Sequence, residues 1–233
     1  MALPKIQLPL FEITIPSTGK KTKFRPFTVK EEKILLIAQE SKDTNQVILA
    51  IKQIINNCVE DVDVDNLATF DLEYLLLQVR AKSVNDILNF GITDPDTQES
   101  VELAINVDDI KIHTKEGHNK KIKLNDEYVM LMRYPTIDKV RGLGDATENR
   151  TQKLFEVMIS CIDTLATEED VYKMDDFTAE EVNDFVESLS NAAIQEIQKF
   201  FETMPTLRYE AEYTNKNGDK KTFVLEGTET FFM

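Results

Sequence analysis

Near the N-terminus, apolar and polar positions alternate with a period of two: Phe11, Ile13 and Ile15 are interleaved with Glu12 and Thr14. That spacing places the apolar set on one face of an extended strand. Pro16 to Lys20 supplies turn-forming Pro, Ser and Gly, and a second extended segment runs to Pro26, so the two read as a β-hairpin. The period then lengthens. Thr28 and Glu31 have the spacing of a capping box, in which a hydroxyl and a carboxylate satisfy reciprocal free N–H groups, ahead of the apolar run Ile34 to Ala38. Val47, Ile51, Ile54, Ile55, Cys58 and Val59 recur at steps of three and four, which predicts a second helix over 44–59. A third, over 70–82, carries Phe70, Leu72, Tyr74, Leu75, Leu76, Leu77 and Val79 and is apolar nearly all round. Such a helix is either central to a core or covered by a partner.

After Ser83 the texture becomes extended again. Asp86 to Ile92, the turn at Asp94 to Thr97, and Val101 to Val107 read as paired strands. Ile110 to His113 and Lys121 to Leu124 flank a turn around Gly117 and read as a further pair, with Tyr128 to Arg133 as a fifth strand. Beyond Pro135 a short helix spans Thr136 to Gly144, and Leu154, Phe155, Met158, Cys161, Ile162 and Leu165 then repeat at helical spacing. Thr178 and Glu181 form a second capping box before Val182, Phe185, Val186 and Leu189. A last helix starts at Ser190 and is stopped by Pro205. Arg208 to Tyr213, a turn at Asn215 to Asp219 and Thr222 to Leu225 form a C-terminal hairpin. The prediction is an α+β fold: helical blocks over 28–82 and 136–204, an N-terminal hairpin, a middle antiparallel module and a C-terminal hairpin. The expected divisions are 1–83, 84–134, 135–204 and 205–233.

Charge narrows the function classes. The 233 residues carry a formal net charge of -15, which argues against a general nucleic-acid or anionic-membrane binder, whose affinity comes from clustered Lys and Arg. A basic protein partner stays compatible. There is no basic segment followed by an apolar run at the start and no apolar span long enough to cross a bilayer, so a soluble protein of a reducing cytoplasm is expected. Cys58 and Cys161 fall on predicted apolar helix faces and imply no disulfide framework.

Candidate chemistry is sparse. Gly19-Lys20 has Thr14 where a phosphate loop needs its first Gly and Lys21 where it needs a hydroxyl, and its flanks are strands, so it reads as a hairpin tip. Asp61, Asp63 and Asp65 alternate as in a calcium loop, but Asn66 and Leu72 stand where the sharp-turn Gly and the bidentate Glu belong. His113 and His118 sit by a predicted turn without a ligand cage and read as surface residues. The run from Glu168 to Glu187 holds nine carboxylates against Lys173 alone. It reads as the solvated face of a capped helix, as a dock for a basic partner, or, least favoured, as an Mg²⁺-dependent carboxylate site. No catalytic residue, cofactor-binding residue or metal ligand emerges. The candidate partner-binding residues are Leu72, Leu75 and Leu76 of the third helix, Asp175, Asp176, Glu180 and Glu181 of the acidic run, and Phe231 and Phe232, which either tuck onto a core or anchor a partner.

Four segments carry a resemblance: Pro16-Ser-Thr-Gly-Lys-Lys-Thr-Lys-Phe-Arg-Pro-Phe-Thr-Val-Lys-Glu-Glu-Lys-Ile-Leu-Leu-Ile-Ala38, Phe70-Asp-Leu-Glu-Tyr-Leu-Leu-Leu-Gln-Val-Arg-Ala-Lys-Ser83, Met132-Arg-Tyr-Pro135 and Leu225-Glu-Gly-Thr-Glu-Thr-Phe-Phe232. In this order they resemble the baseplate protein family of T4-like contractile-tailed phages. The resemblance implies a non-enzymatic role in building the baseplate hub, as a chaperone or adaptor that handles hub proteins and the tape-measure protein. A subunit retained in the virion is the alternative it leaves open.

Overall fold

The computed structural model describes residues 6–144 and 150–226, which hold seven α-helices and eleven strands in small antiparallel sheets. The α+β reading holds, with hairpins toward both ends. Two compact units are present: Met1–His113 with Thr206–Met233, and Thr114–Pro205.

The first unit opens with β1 (Phe11–Thr14) and β2 (Lys21–Phe24), paired antiparallel from Phe11 opposite Phe24 to Thr14 opposite Lys21. Gly19 takes φ 68°, a left-handed turn conformation that costs a residue without Cβ little. The hairpin tip is pinned by a buried carboxylate: the Ser17 backbone N–H donates to Asp71 Oδ1 at 2.8 Å, and its hydroxyl donates to Oδ2. The Ser17 donors are thus engaged by Asp71, and β2 leads to an extended segment rather than directly into a helix.

α1 (Val29–Ser41) starts at the Thr28 capping box. α2 (Thr44–Cys58) starts at Asp43, whose side chain accepts from the Asn45 N–H, and buries Ile48, Ile54, Ile55 and Cys58. α3 (Thr69–Ser83) is buried on almost every side, from Phe70 to Ala81, so the all-round apolar pattern marks the central helix of the unit. One side meets α2. Leu77 and Ala81 join an apolar cluster with Leu88 of β3 (Ile87–Thr93) and Ile105 of β4 (Ser100–Asn106). β5 (Lys111–His113) follows.

The second unit contains β6 (Lys121–Lys123), β7 (Val129–Met132), α4 (Ile137–Gly144), α5 (Arg150–Ser160), β8 (Ile162–Ala166), β9 (Val171–Lys173), α6 (Ala179–Glu187) and α7 (Asn191–Thr203). Its sheet has the order β6-β7-β8-β9, antiparallel throughout. Met130, Met132 and Ile162 from the strands pack with Met158, Val186, Ile197 and Phe200 from the helices. The chain then returns to the first unit as β10 (Thr206–Thr214) and β11 (Lys220–Glu226), joined by a turn in which Gly218 has φ 87°.

Three expectations are corrected. The segments Ile110–His113 and Lys121–Leu124 are not partners: β5 adds to β10, with Ile112 opposite Leu207, while β6 pairs with β7. The strands expected as one module over 84–134 thus belong to three sheets. The helical repeat through Leu165 breaks at Ser160; Ile162 to Ala166 form β8 opposite β7, and Cys161 lies between helix and strand. His118 is no free surface residue. Its Nδ1 lies 3.0 Å from Thr203 Oγ1, its Nε2 lies 2.9 Å from the Tyr134 hydroxyl, and its ring stacks on Tyr134 at 5.7 Å between centroids.

Candidate functional site

The residues singled out for partner binding fall into three situations. Leu72, Leu75 and Leu76 are 4%, 0% and 4% exposed, inside the core of their own unit. As a docking surface they are a correction: a partner reaches them only by opening that core. Phe231 and Phe232 lie outside the described residues. The four acidic residues lie on the second unit, and two already have work there.

Asp175 accepts two hydrogen bonds from Arg133, at 2.8 Å from Nη1 and 2.7 Å from Nη2, and this guanidinium holds its carboxyl below the usual range. Arg133 Nε also donates to the Ser160 carbonyl at 2.9 Å, so the fork clamps the end of α5 to the short turn before α6. Glu181 accepts from the Thr178 N–H and hydroxyl, both at 2.8 Å, as the reciprocal half of the capping box. The Thr178 backbone N–H is the main reason its carboxyl sits below its ordinary value. Asp176 and Glu180 are exposed and have no ion pair among the described residues. They are the part of the predicted set that is free to meet a cation.

Beside them is a feature that periodicity does not reveal. Tyr128, Tyr172, Phe177 and Phe185 line a cavity of about 330 Å³, with Glu181 at its lining. Tyr172 and Phe177 lie 6.4 Å apart by ring centroid and remain 38% and 41% exposed. The charge of Glu127, foremost, pushes the Tyr128 hydroxyl pKa up, with burial next and Asp170 adding to it. Aromatic faces rimmed by carboxylates attract Lys or Arg side chains, whose cations meet the ring quadrupoles while their stems bury against apolar carbon. The sequence signal for this face was the acidic run; the aromatic members come from the residue before β7 (Tyr128), from β9 (Tyr172), from the segment before α6 (Phe177) and from α6 itself (Phe185), and converge only in three dimensions.

In the first unit, a groove of about 420 Å³ is lined by Leu35 and Leu36 of α1, Val47 and Ile51 of α2, Arg80 of α3 and Phe90 of β3. Ile34 to Ala38 is a continuous apolar run, yet only Ala38 of it is buried; Leu36 and Ile37 are 53% and 55% exposed. Apolar side chains next to one another on an exposed helix mark an interaction surface more than scattered ones do. Neither α1 nor Arg80 was among the predicted site residues. The lone cation in Leu75-Leu-Leu-Gln-Val-Arg80, four residues after Leu76 and hence on its face, was the available signal.

Other chemistry has little to stand on. Burial pushes the Cys58 and Cys161 thiols up to about 11, so thiolate is scarce at neutral pH. Among the described residues no three His, Cys, Asp or Glu side chains are grouped to hold a metal ion, and no helix is long and apolar enough to cross a membrane.

Comparison with known proteins gives one match. No curated protein and no solved structure matches the chain. A family model described as T4 bacteriophage base plate protein matches residues 8–233, nearly the whole chain, including both hairpins, the helices of both units and the acidic aromatic face. The chain therefore belongs to the T4 bacteriophage base plate protein family.

Proposed function

We propose that this baseplate-family chain is a hub assembly factor, a non-enzymatic chaperone or adaptor that binds hub proteins and the tape-measure protein in the host cytoplasm. The observation that carries the binding part of this reading is the acidic aromatic face around Tyr172, Phe177, Asp176 and Glu180. It combines exposed aromatic anchors, which dominate interface energetics, with carboxylates that steer a basic surface toward them. The carboxylate that lines the cavity of this face, Glu181, is engaged in the cap of α6.

Affinity capture of the tagged chain from infected cells, with partners identified by mass spectrometry, tests the proposal. Enrichment of hub and tape-measure proteins supports it; a capture empty of both counts against it. A second reading, a structural subunit retained in the particle, is favoured by the family description itself, which names the base plate. Quantitative mass spectrometry of purified virions separates the two. Near-stoichiometric signal means a retained subunit, and depletion relative to infected cells means an assembly factor.

A further inference from the structure

The groove of the first unit combines apolar lining residues with Glu32, Gln39, Arg80 and Asn89, and one of these polar groups is left unsatisfied. Arg80 Nη1 is buried and has no hydrogen-bond partner, and no ion pair involves this guanidinium among the described residues. Burial alone acts on Arg80, lowering its pKa without any neighbouring charge to compensate. Glu32 also lines the groove but takes no hydrogen bond from Arg80. A buried donor left unsatisfied costs the desolvation of that group, and buried polar atoms in folded proteins are almost always paired. The other two arginines described in this unit follow that rule: Arg25 is paired with Glu31, and Arg208 with Glu210 and Glu226.

We infer that the groove between α1, α2, α3 and β3 receives a short apolar segment of a partner protein that carries one Asp or Glu, and that this carboxylate pairs with Arg80. Leu35 and Leu36 of α1, Val47 and Ile51 of α2 and Phe90 of β3 supply the apolar contacts. The guanidinium supplies the selection rule, since a carboxylate pairs with the half-buried cation while an amide leaves its charge uncompensated and an ammonium is repelled. Charge complementarity thus decides the occupant: this groove offers a cation on an otherwise acidic chain, and the acidic aromatic face of the second unit offers the reverse. The inference rests on the reading of the chain as a protein-binding member of the baseplate family and names what one of its surfaces takes.

The test is an array of overlapping peptides tiled across the structural proteins of the phage that encodes this chain, probed with the full-length protein and re-measured in solution by fluorescence anisotropy. Bound peptides should share apolar residues around one Asp or Glu, and changing that residue to Gln should weaken binding about tenfold or more, the loss expected for one charge-assisted pair. Arg80→Glu should abolish binding, and a peptide with Lys in place of the acid should bind Arg80→Glu better than wild type. Arg80→Met, which keeps the helix and the apolar lining, should bind the acidic and the Gln peptides equally, and its melting temperature shows that folding is intact. No bound peptide, or bound peptides indifferent to the acid and to Arg80→Met, overturns the inference. So does concentration-dependent self-association lost in Arg80→Glu, which makes a second copy the occupant, and so does binding that appears only after deletion of residues 227–233, which makes the chain's own end the occupant. If Arg80→Glu leaves capture of hub proteins from cells unchanged, the groove inference fails and the assembly reading stands; if peptides bind as described but no hub protein is captured, the reverse holds.

Discussion

Replacing Glu31 by Gln tests how the first unit holds α1 in place. Glu31 is 2% exposed and accepts hydrogen bonds from the Thr28 N–H at 2.9 Å, the Thr28 hydroxyl at 2.5 Å and Arg25 Nη2 at 3.1 Å. Burial by itself would push its carboxyl up, but the hydrogen bonds from Arg25 and Thr28 outweigh that and bring it down from 4.5 to about 2. A folded value that far below the unfolded one corresponds to about 3 kcal/mol of stability at neutral pH, at roughly 1.4 kcal/mol per pH unit. The sign follows from proton counting. Above the unfolded value the carboxylate is ionised in both states and the full contribution is present; as pH falls from about 5 toward 2, the unfolded chain takes up the proton first and the contribution is lost. Glu31→Gln keeps an acceptor for Thr28 but leaves Arg25 without its charge partner. Urea unfolding of the two proteins should therefore differ by about 2 to 3 kcal/mol at pH 7 and by under about 1 kcal/mol near pH 2.5. A difference that stays constant across that range would refute the ionic account and leave only shape.

Three further outcomes are expected. Burial, with Lys120 adding to it, lowers the pKa of His118, so the ring is held neutral and stability should fall as pH drops below about 6.5; a wild-type urea midpoint that falls no more than that of His118→Gln between pH 7.5 and 5 would contradict this. Cys58 and Cys161 should resist a thiol-specific dye in the native protein and both react on unfolding; fast labelling of the folded chain would show that these sites open. Asp175→Lys should lower stability by about 0.5 to 1 kcal/mol through loss of the exposed Arg133 pair, whereas Asp176→Lys with Glu180→Lys should leave the melting temperature unchanged and weaken partner binding most at low salt; equal melting losses would erase the distinction.

Local chemistry was legible wherever partners lie within a turn of each other. Thr28 with Glu31 and Thr178 with Glu181 form the reciprocal caps their spacing demands, and the turn at Asn215 to Asp219 closes the last hairpin. The pairing of Ile112 with Leu207 was not legible, because nothing in the local pattern of Lys111–His113 distinguishes a neighbour ten residues on from one across half the chain. Cys161, Ile162 and Leu165 illustrate a second limit. A short apolar run fits both periods, and the vacancy beside β7 settled it as a strand. Burial was the third: the apolar pattern of α3 was compatible with a core or a covered surface and turns out to be core, while the apolar run of α1 is largely open. Within the acidic run, likewise, sequence marks nine carboxylates alike, whereas Arg133 removes Asp175 and the helix cap removes Glu181.

Asp94 shows the same economy in the first unit. Buried completely, it accepts from the Tyr213 hydroxyl at 2.7 Å and from the N–H groups of Asp96 and Thr97, tying the β3–β4 turn to β10. Its carboxyl is brought down to about 2, chiefly by Tyr213. Like Glu31 and Asp71, Asp94 is a buried acid whose hydrogen bonds tie together segments of its own unit.

The most direct measurement of the central claim is co-expression of this chain with the hub and tape-measure proteins of its phage, followed by size-exclusion chromatography at moderate salt. The account predicts co-elution of the chain with at least one of them, weakened by the double change Asp176→Lys and Glu180→Lys without loss of folded protein. Elution of the chain on its own in every combination would contradict it.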